Sequence, residues 1–229
     1  MTPSPLYIPH DEPRRPGLPE VAVGLATYLV VLLGPLIWIV LAPDDQAGLR
    51  GIVGMAANGV AGIAALLAAF TIRIRNWRSF GFRPTAWRWG LIAAGLGVVA
   101  FGLSFAIEHV YFAFIDEPNT QADFQAAAKG GTASLAILVF AGAILTPLGE
   151  EVVFRGVIAN ALNRYGPVAG IVVSAAIFGV AHGLSVITIL AFMVGLINGA
   201  LLRRTGSLWP CLVVHVVYNG LHLLGYAVL

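Results

Sequence analysis

The chain is poor in charge and almost without cysteine. Only 10% of its 229 residues are Asp, Glu, Lys or Arg, against 59% hydrophobic, where a soluble domain carries roughly 25% charged residues. That excludes a soluble globular protein and points to an integral membrane protein. The single cysteine, Cys211, excludes an internal disulfide and any cysteine-based metal cluster. It sits in an apolar run and reads as a small core filler. No basic block with interleaved aromatics offers a nucleic-acid surface, so no nucleic-acid partner is expected. No HExxH pair is present, and no internal repeat is visible, which leaves an inverted-repeat transporter without support.

What is present is a series of long apolar runs. Residues 1–20 are polar and proline-rich and read as a flexible cytoplasmic tail. Runs at 21–41, 51–72 and 91–114 each suffice to span a bilayer at about 1.5 Å rise per residue. For the first, a signal peptide is the competing reading, but the run is too long and Pro43 after Ala42 makes a poor cleavage site. The Gly and Ala of the second allow close helix approach. Arg73, Arg75, Arg78, Arg83 and Arg88, with Trp77, Trp87 and Trp89 between them, mark a cytoplasmic loop and its interfacial belt. The polar loop 115–131 suggests a short surface helix around Gln121 to Lys129. Residues 132–164 are helical in character but too long for one untilted span, and Pro147 and Gly149 are expected to kink or break them. After a turn at Gly166-Pro167, further spans are expected at 168–182, 184–202 and 208–227.

The fold class is therefore all-α, a polytopic membrane bundle of about seven transmembrane helices. Three accessory spans within 21–131 precede a core of four spans within 132–229, which holds the catalytic cavity. All 13 Lys and Arg residues fall on the amino-terminal side of this arrangement except Arg50, Lys129 and the intramembrane Arg155. The positive-inside rule then puts the amino terminus in the cytoplasm and the carboxy terminus opposite.

Chemistry concentrates at Glu150-Glu151-Val152-Val153-Phe154-Arg155. A charge at bilayer depth costs about 2.5 to 3.5 kcal/mol on insertion scales, so it needs partners and usually a task. Residues four apart share a helix face, which pairs Glu151 with Arg155 and sets His215 beside Asn219. Glu150 is turned about 100° from Glu151 and is left to point elsewhere. The bland alternative is an inert packing knot, but two carboxylates for one arginine leave a negative charge such a knot does not need. At about 1.5 Å per residue, Glu150, His182 and His215 lie about 21, 22 and 12 Å from the cytoplasmic ends of their helices, so they can converge in one cavity. A carboxylate and two imidazoles there suit general base catalysis: the glutamate takes a proton from water and a histidine orients the water or relays the proton. His215 and Asn219 could donate to a developing oxyanion. The constellation reads as amide hydrolysis. Glu108 reads as a carboxylate reaching the interface, and His222 as a histidine bonded to a neighbouring backbone.

The sequence resembles a known family in three ordered motifs: EEVVFRG at Glu150 to Gly156, FGVAHG at Phe178 to Gly183 and HVVYN at His215 to Asn219. They are similar to the EExxxR, FxxxH and HxxxN signatures of the CPBP family of intramembrane proteases, which includes CAAX prenyl endopeptidases and bacteriocin-processing, Abi-type proteins. The resemblance covers roughly 132–227; the first three spans match only in being apolar. It implies that Glu150 and His182 activate water, that His215 and Asn219 form the oxyanion hole, and that Glu151 and Arg155 support the site. Family members are often labelled metalloproteases, so a zinc site of Glu150, His182 and His215 is the competing expectation; a mechanism requiring no cofactor is preferred because Glu151 is committed to Arg155. The expected partners are the lipid bilayer and a membrane-embedded or lipid-anchored peptide or protein, cut near its cytoplasmic end. The rival readings are a non-catalytic immunity or scaffold protein of the same fold and a proton-coupled transporter using the same groups as a relay.

Overall fold

Backbone polar groups cannot be left open in hydrocarbon, so spanning segments close them internally as helices. The computed structural model describes residues 14–228 and is helical, with no strand among those residues. Its helices are α1 (Leu18–Leu41), α2 (Ala47–Ile72), α3 (Trp87–Phe112), the short α4 (Ala122–Lys129), α5 (Thr132–Tyr165), α6 (Ala169–Val180), α7 (Val186–Thr205) and α8 (Leu208–Val228). Six are long and apolar enough to cross a membrane, and α6 is a shorter apolar helix where a seventh span was expected. Large apolar side chains face outward all round the bundle, among them Val30, Val40, Leu91, Val110 and Val168. Such a surface is stable against lipid and not against water. The chain is an integral, multi-pass membrane protein.

Contacts between connections sort the two ends of the bundle. At one end Arg73 pairs with Glu20 of α1 at 2.6 Å, Arg164 donates to the Pro16 carbonyl at 2.5 Å, and Ser207 donates to the Arg83 carbonyl at 2.7 Å. The Glu20 hydrogen bond raises the Arg73 guanidinium above its usual range and holds it charged. At the other end Arg50 pairs with Asp123 at 2.9 Å, and Glu117 accepts from the Val186 N–H that opens α7 at 3.1 Å. The arginine-rich connections therefore share one end and the acidic connections the other.

Local sequence accounts for the helix limits. The Glu20 carboxylate caps the free Gly17 N–H at 2.8 Å, and Pro19 stands in the first turn, where its missing N–H costs nothing. The expected tail is therefore shorter than residues 1–20: α1 already begins at Leu18, and residues 1–13 lie outside the described residues. Helix α7 is capped by Ser185, whose hydroxyl accepts from Ile187 N–H, and ends at Gly206 with φ +65°, a conformation that favours glycine.

Of the expected kink or break at Pro147 and Gly149, the break does not occur. Helix α5 runs unbroken for 34 residues, and widened π turns at Phe140–Leu145 and Glu151–Ala159 absorb the irregularity. Thr146 N–H bonds the Ala141 carbonyl, five residues back. The next bond in that register would join Pro147 to the Gly142 carbonyl, but proline has no N–H. Asn219 of α8 fills the gap, its amide donating to the Gly142 carbonyl at 2.9 Å.

Close packing of α2 on α5 fixes how near the two helices lie around Glu150. A Cβ on Gly62 would overlap the Gly149 backbone, one on Gly149 would overlap that of Gly59, and one on Gly59 would overlap that of Leu145. The three glycines let the two backbones touch beside Glu150. Thr146 adds a hydrogen bond to the Met55 carbonyl at 2.6 Å.

Candidate active site

Glu150 and Glu151, adjacent on α5, are both buried and meet different neighbours. Glu151 Oε1 accepts from His215 Nδ1 at 2.8 Å and from Asn198 Nδ2 at 2.9 Å, and its Oε2 lies 3.3 Å from Arg155 Nε. It thus ties α5 to α7 and α8. The Arg155 guanidinium stacks 4.2 Å over the Phe178 ring, and its nitrogens make no aligned hydrogen bond; its charge is balanced by proximity and by the ring face. The expected Glu151–Arg155 pair is present, but Glu151 is bound more closely to His215 and Asn198.

Glu150 Oε1 accepts from Asn58 Nδ2 at 2.6 Å and lies 3.6 Å from His182 Nε2, while its Oε2 lies 3.4 Å from His215 Nε2. His182 Nδ1 faces the Phe178 carbonyl at 2.8 Å. A carbonyl only accepts, so Nδ1 carries the proton and, in the neutral ring, Nε2 offers its lone pair toward Glu150. His215 Nδ1 donates to Glu151 in the same way, which turns its Nε2 to Glu150. Phe178 fixes both rings, packing edge-on against His182 and His215 with centroids 4.7 and 5.8 Å away. Glu150, His182, His215 and Asn219 all line one cavity of about 630 Å³. His182 and His215 converge on the Glu150 carboxylate; Asn219 sits one turn beyond His215 with one amide hydrogen committed to Gly142.

Residues 132–221, which carry this cluster, match the Rce1-like family, described as type II CAAX prenyl endopeptidase Rce1-like. The matched stretch holds Glu150, Glu151, Arg155, His182, His215 and Asn219, and it agrees with the resemblance read from the three motifs. Neither the curated proteins nor the solved structures gave a match.

Three partners of this cluster lie outside the motifs. Asn58 of α2 and Tyr28 of α1 come from the accessory spans, Tyr28 hydroxyl donating to Asn58, which donates to Glu150. An asparagine within a Gly/Ala-rich span was the available signal, since an amide at that depth needs partners. Asn198 was visible as a polar residue, but its bond to Glu151 was not. His222 bonds the Ser104 hydroxyl at 3.2 Å rather than a backbone group. Glu108, read as an interface carboxylate, lines the same cavity as Glu150. For the zinc expectation, no group of three or more His, Cys, Asp or Glu among the described residues is arranged to hold a metal ion. The two imidazole Nε2 atoms lie 3.6 and 3.4 Å from the Glu150 carboxylate.

Proposed function

We propose that this protein is an intramembrane endopeptidase that hydrolyses peptide bonds in membrane-embedded or lipid-anchored peptides or proteins. The observation that carries this reading is a buried carboxylate, Glu150, facing a mostly apolar cavity between two imidazole Nε2 atoms at 3.4 and 3.6 Å. Water in that cavity gives a proton to Glu150 while its oxygen attacks the scissile carbonyl carbon. His182 orients the water through Nε2. The oxyanion is stabilised from the α8 side, by the second amide hydrogen of Asn219 and by His215 in its imidazolium form, whose Nδ1–H stays on Glu151 and whose Nε2–H turns from Glu150 to the oxyanion. The proton taken by Glu150 passes to the leaving nitrogen as the C–N bond breaks, giving a carboxylic acid and an amine. Glu151 and Arg155 support the site, Glu151 by holding the His215 ring through its Nδ1–H. The arginine distribution gives the orientation, with the amino terminus cytoplasmic and the carboxy terminus on the opposite side.

The test is cleavage of a quenched membrane peptide library by the purified chain, beside Glu150→Ala and His182→Ala. Wild type is expected to cleave, and each variant to lose on the order of 10²- to 10⁴-fold in rate. Undiminished cleavage by both variants, or none by wild type, refutes the reading and favours the scaffold or transporter alternatives. Full chelation of zinc is expected to leave the rate unchanged.

A further inference from the structure

The catalytic cavity is not placed evenly between the two ends of the bundle. Most of its lining comes from the halves of the helices nearest the acidic connections, including Leu36 of α1, Met55 of α2, Glu108 of α3 and Tyr226 of α8. A second cavity of about 250 Å³ shares Glu108, Thr120, Gln121 and His222 with the first and continues to Glu117 and Asn119 in the loop before α4. No residue of the arginine-rich connections lines either cavity. Toward that end the space is filled instead: Phe80, Val157, Leu202 and Leu208 are buried in one packed cluster.

Two routes reach Glu150 from the acidic end. One is polar and runs past Gln121, Thr120 and Glu108, which suits water. The other is apolar and lateral: Leu32 and Leu36 of α1 and Leu184 of the turn before α7 border the cavity, and Leu184 is 90% exposed. That wall admits an aliphatic chain or hydrophobic peptide from the adjacent leaflet.

We infer that the site is open to the extracytoplasmic side, and that the substrate is a membrane-anchored peptide or protein whose scissile bond is presented from the outer leaflet. This rests on the proposed hydrolase activity and on the arginine bias, which assigns the filled end to the cytoplasm. It reverses the expectation of cleavage near the cytoplasmic end. A protein that processes cytoplasmic tails needs its opening among the 73–88, 163–167 and 203–208 connections, where this one is packed.

Sided cysteine labelling tests the inference. Cys211 is fully buried, so the wild-type chain is the unlabelled control. Asp116→Cys and Gln121→Cys report the acidic end and Arg78→Cys the arginine-rich end, with Thr120→Cys as the second mouth position if Gln121→Cys does not accumulate. A membrane-impermeant maleimide added to intact cells is expected to label the 116 and 121 variants, and the 78 variant only after permeabilisation. Purified after labelling, the 121 variant is expected to cleave about tenfold more slowly, or worse, than its unlabelled form. Labelling of Arg78→Cys from outside, or undiminished cleavage by the labelled 121 variant, overturns the proposal. If purified wild type cleaves nothing, the hydrolase reading falls and takes the substrate with it, while the labelling pattern alone still decides which face the cavity serves.

Discussion

Glu150 and Glu151 are neighbours in the chain and occupy opposite kinds of surroundings. Glu151 is enclosed by Asn198, His215 and Arg155, three groups from three helices, and does not line the cavity that Glu150 faces. Glu150 has one firm donor, Asn58, and otherwise faces two imidazoles and open space. The difference teaches that one buried carboxylate ties three helices together while the next faces open space, as the proposed base must. Glu151 commits Oε1 to two protein donors and Oε2 to the Arg155 charge, whereas a base must keep a lone pair for water.

The sharpest way to break this contrast is to neutralise each glutamate in turn. Glu150→Gln is expected to lose about 10³-fold in cleavage with its thermal midpoint in detergent nearly unchanged. Glu151→Ala is expected to cost about 3 to 5 kcal/mol of stability, because it leaves a buried guanidinium without its counter-charge. Equal loss of stability in both variants would erase the distinction. Next in size, Gly149→Ala forces a Cβ into the Gly59 backbone and is expected to cost about 1 to 3 kcal/mol in the unfolding midpoint. It should also lower activity by moving Asn58 away from Glu150, an effect absent if α2 is merely accessory.

Asn58→Ala isolates that link, since it removes a hydrogen bond to a charged group worth about 1.5 to 3 kcal/mol. Expected are a rate loss of about tenfold or more and a stability cost no greater than that, smaller than for Glu151→Ala, read from kcat and the unfolding midpoint together. The smallest effect concerns Asn219. Its replacement by alanine should cost about 1 kcal/mol by orphaning the Gly142 carbonyl. Pro147→Ala restores an N–H in the same register, so in the double variant the Asn219 substitution should cost measurably less stability. Additive costs in that cycle would refute the role given to Asn219 in α5.

Hydropathy placed the spans to within a few residues, and the i,i+4 rule paired Glu151 with Arg155, because both depend on distances along one helix. The motifs carrying Glu150, His182, His215 and Asn219 were legible for the same reason. The continuity of α5 was not, since whether Pro147 breaks a helix depends on a donor from elsewhere, here Asn219. Nor were Tyr28 and Asn58, which lie far from Glu150 in sequence and whose spans carry no motif.

By itself, then, the sequence determined that this is a membrane bundle, where its helices lie, and which residues bear charge within it. Those properties stem from local periodicity and from the cost of polarity in lipid. Only the tertiary structure decided that α1 and α2 furnish part of the site and that the cavity opens at the acidic end. Backbone contact at Gly59, Gly62 and Gly149, and the filling of the arginine-rich end by Phe80, Leu202 and Leu208, arise from which helix faces meet. No single helix carries that information.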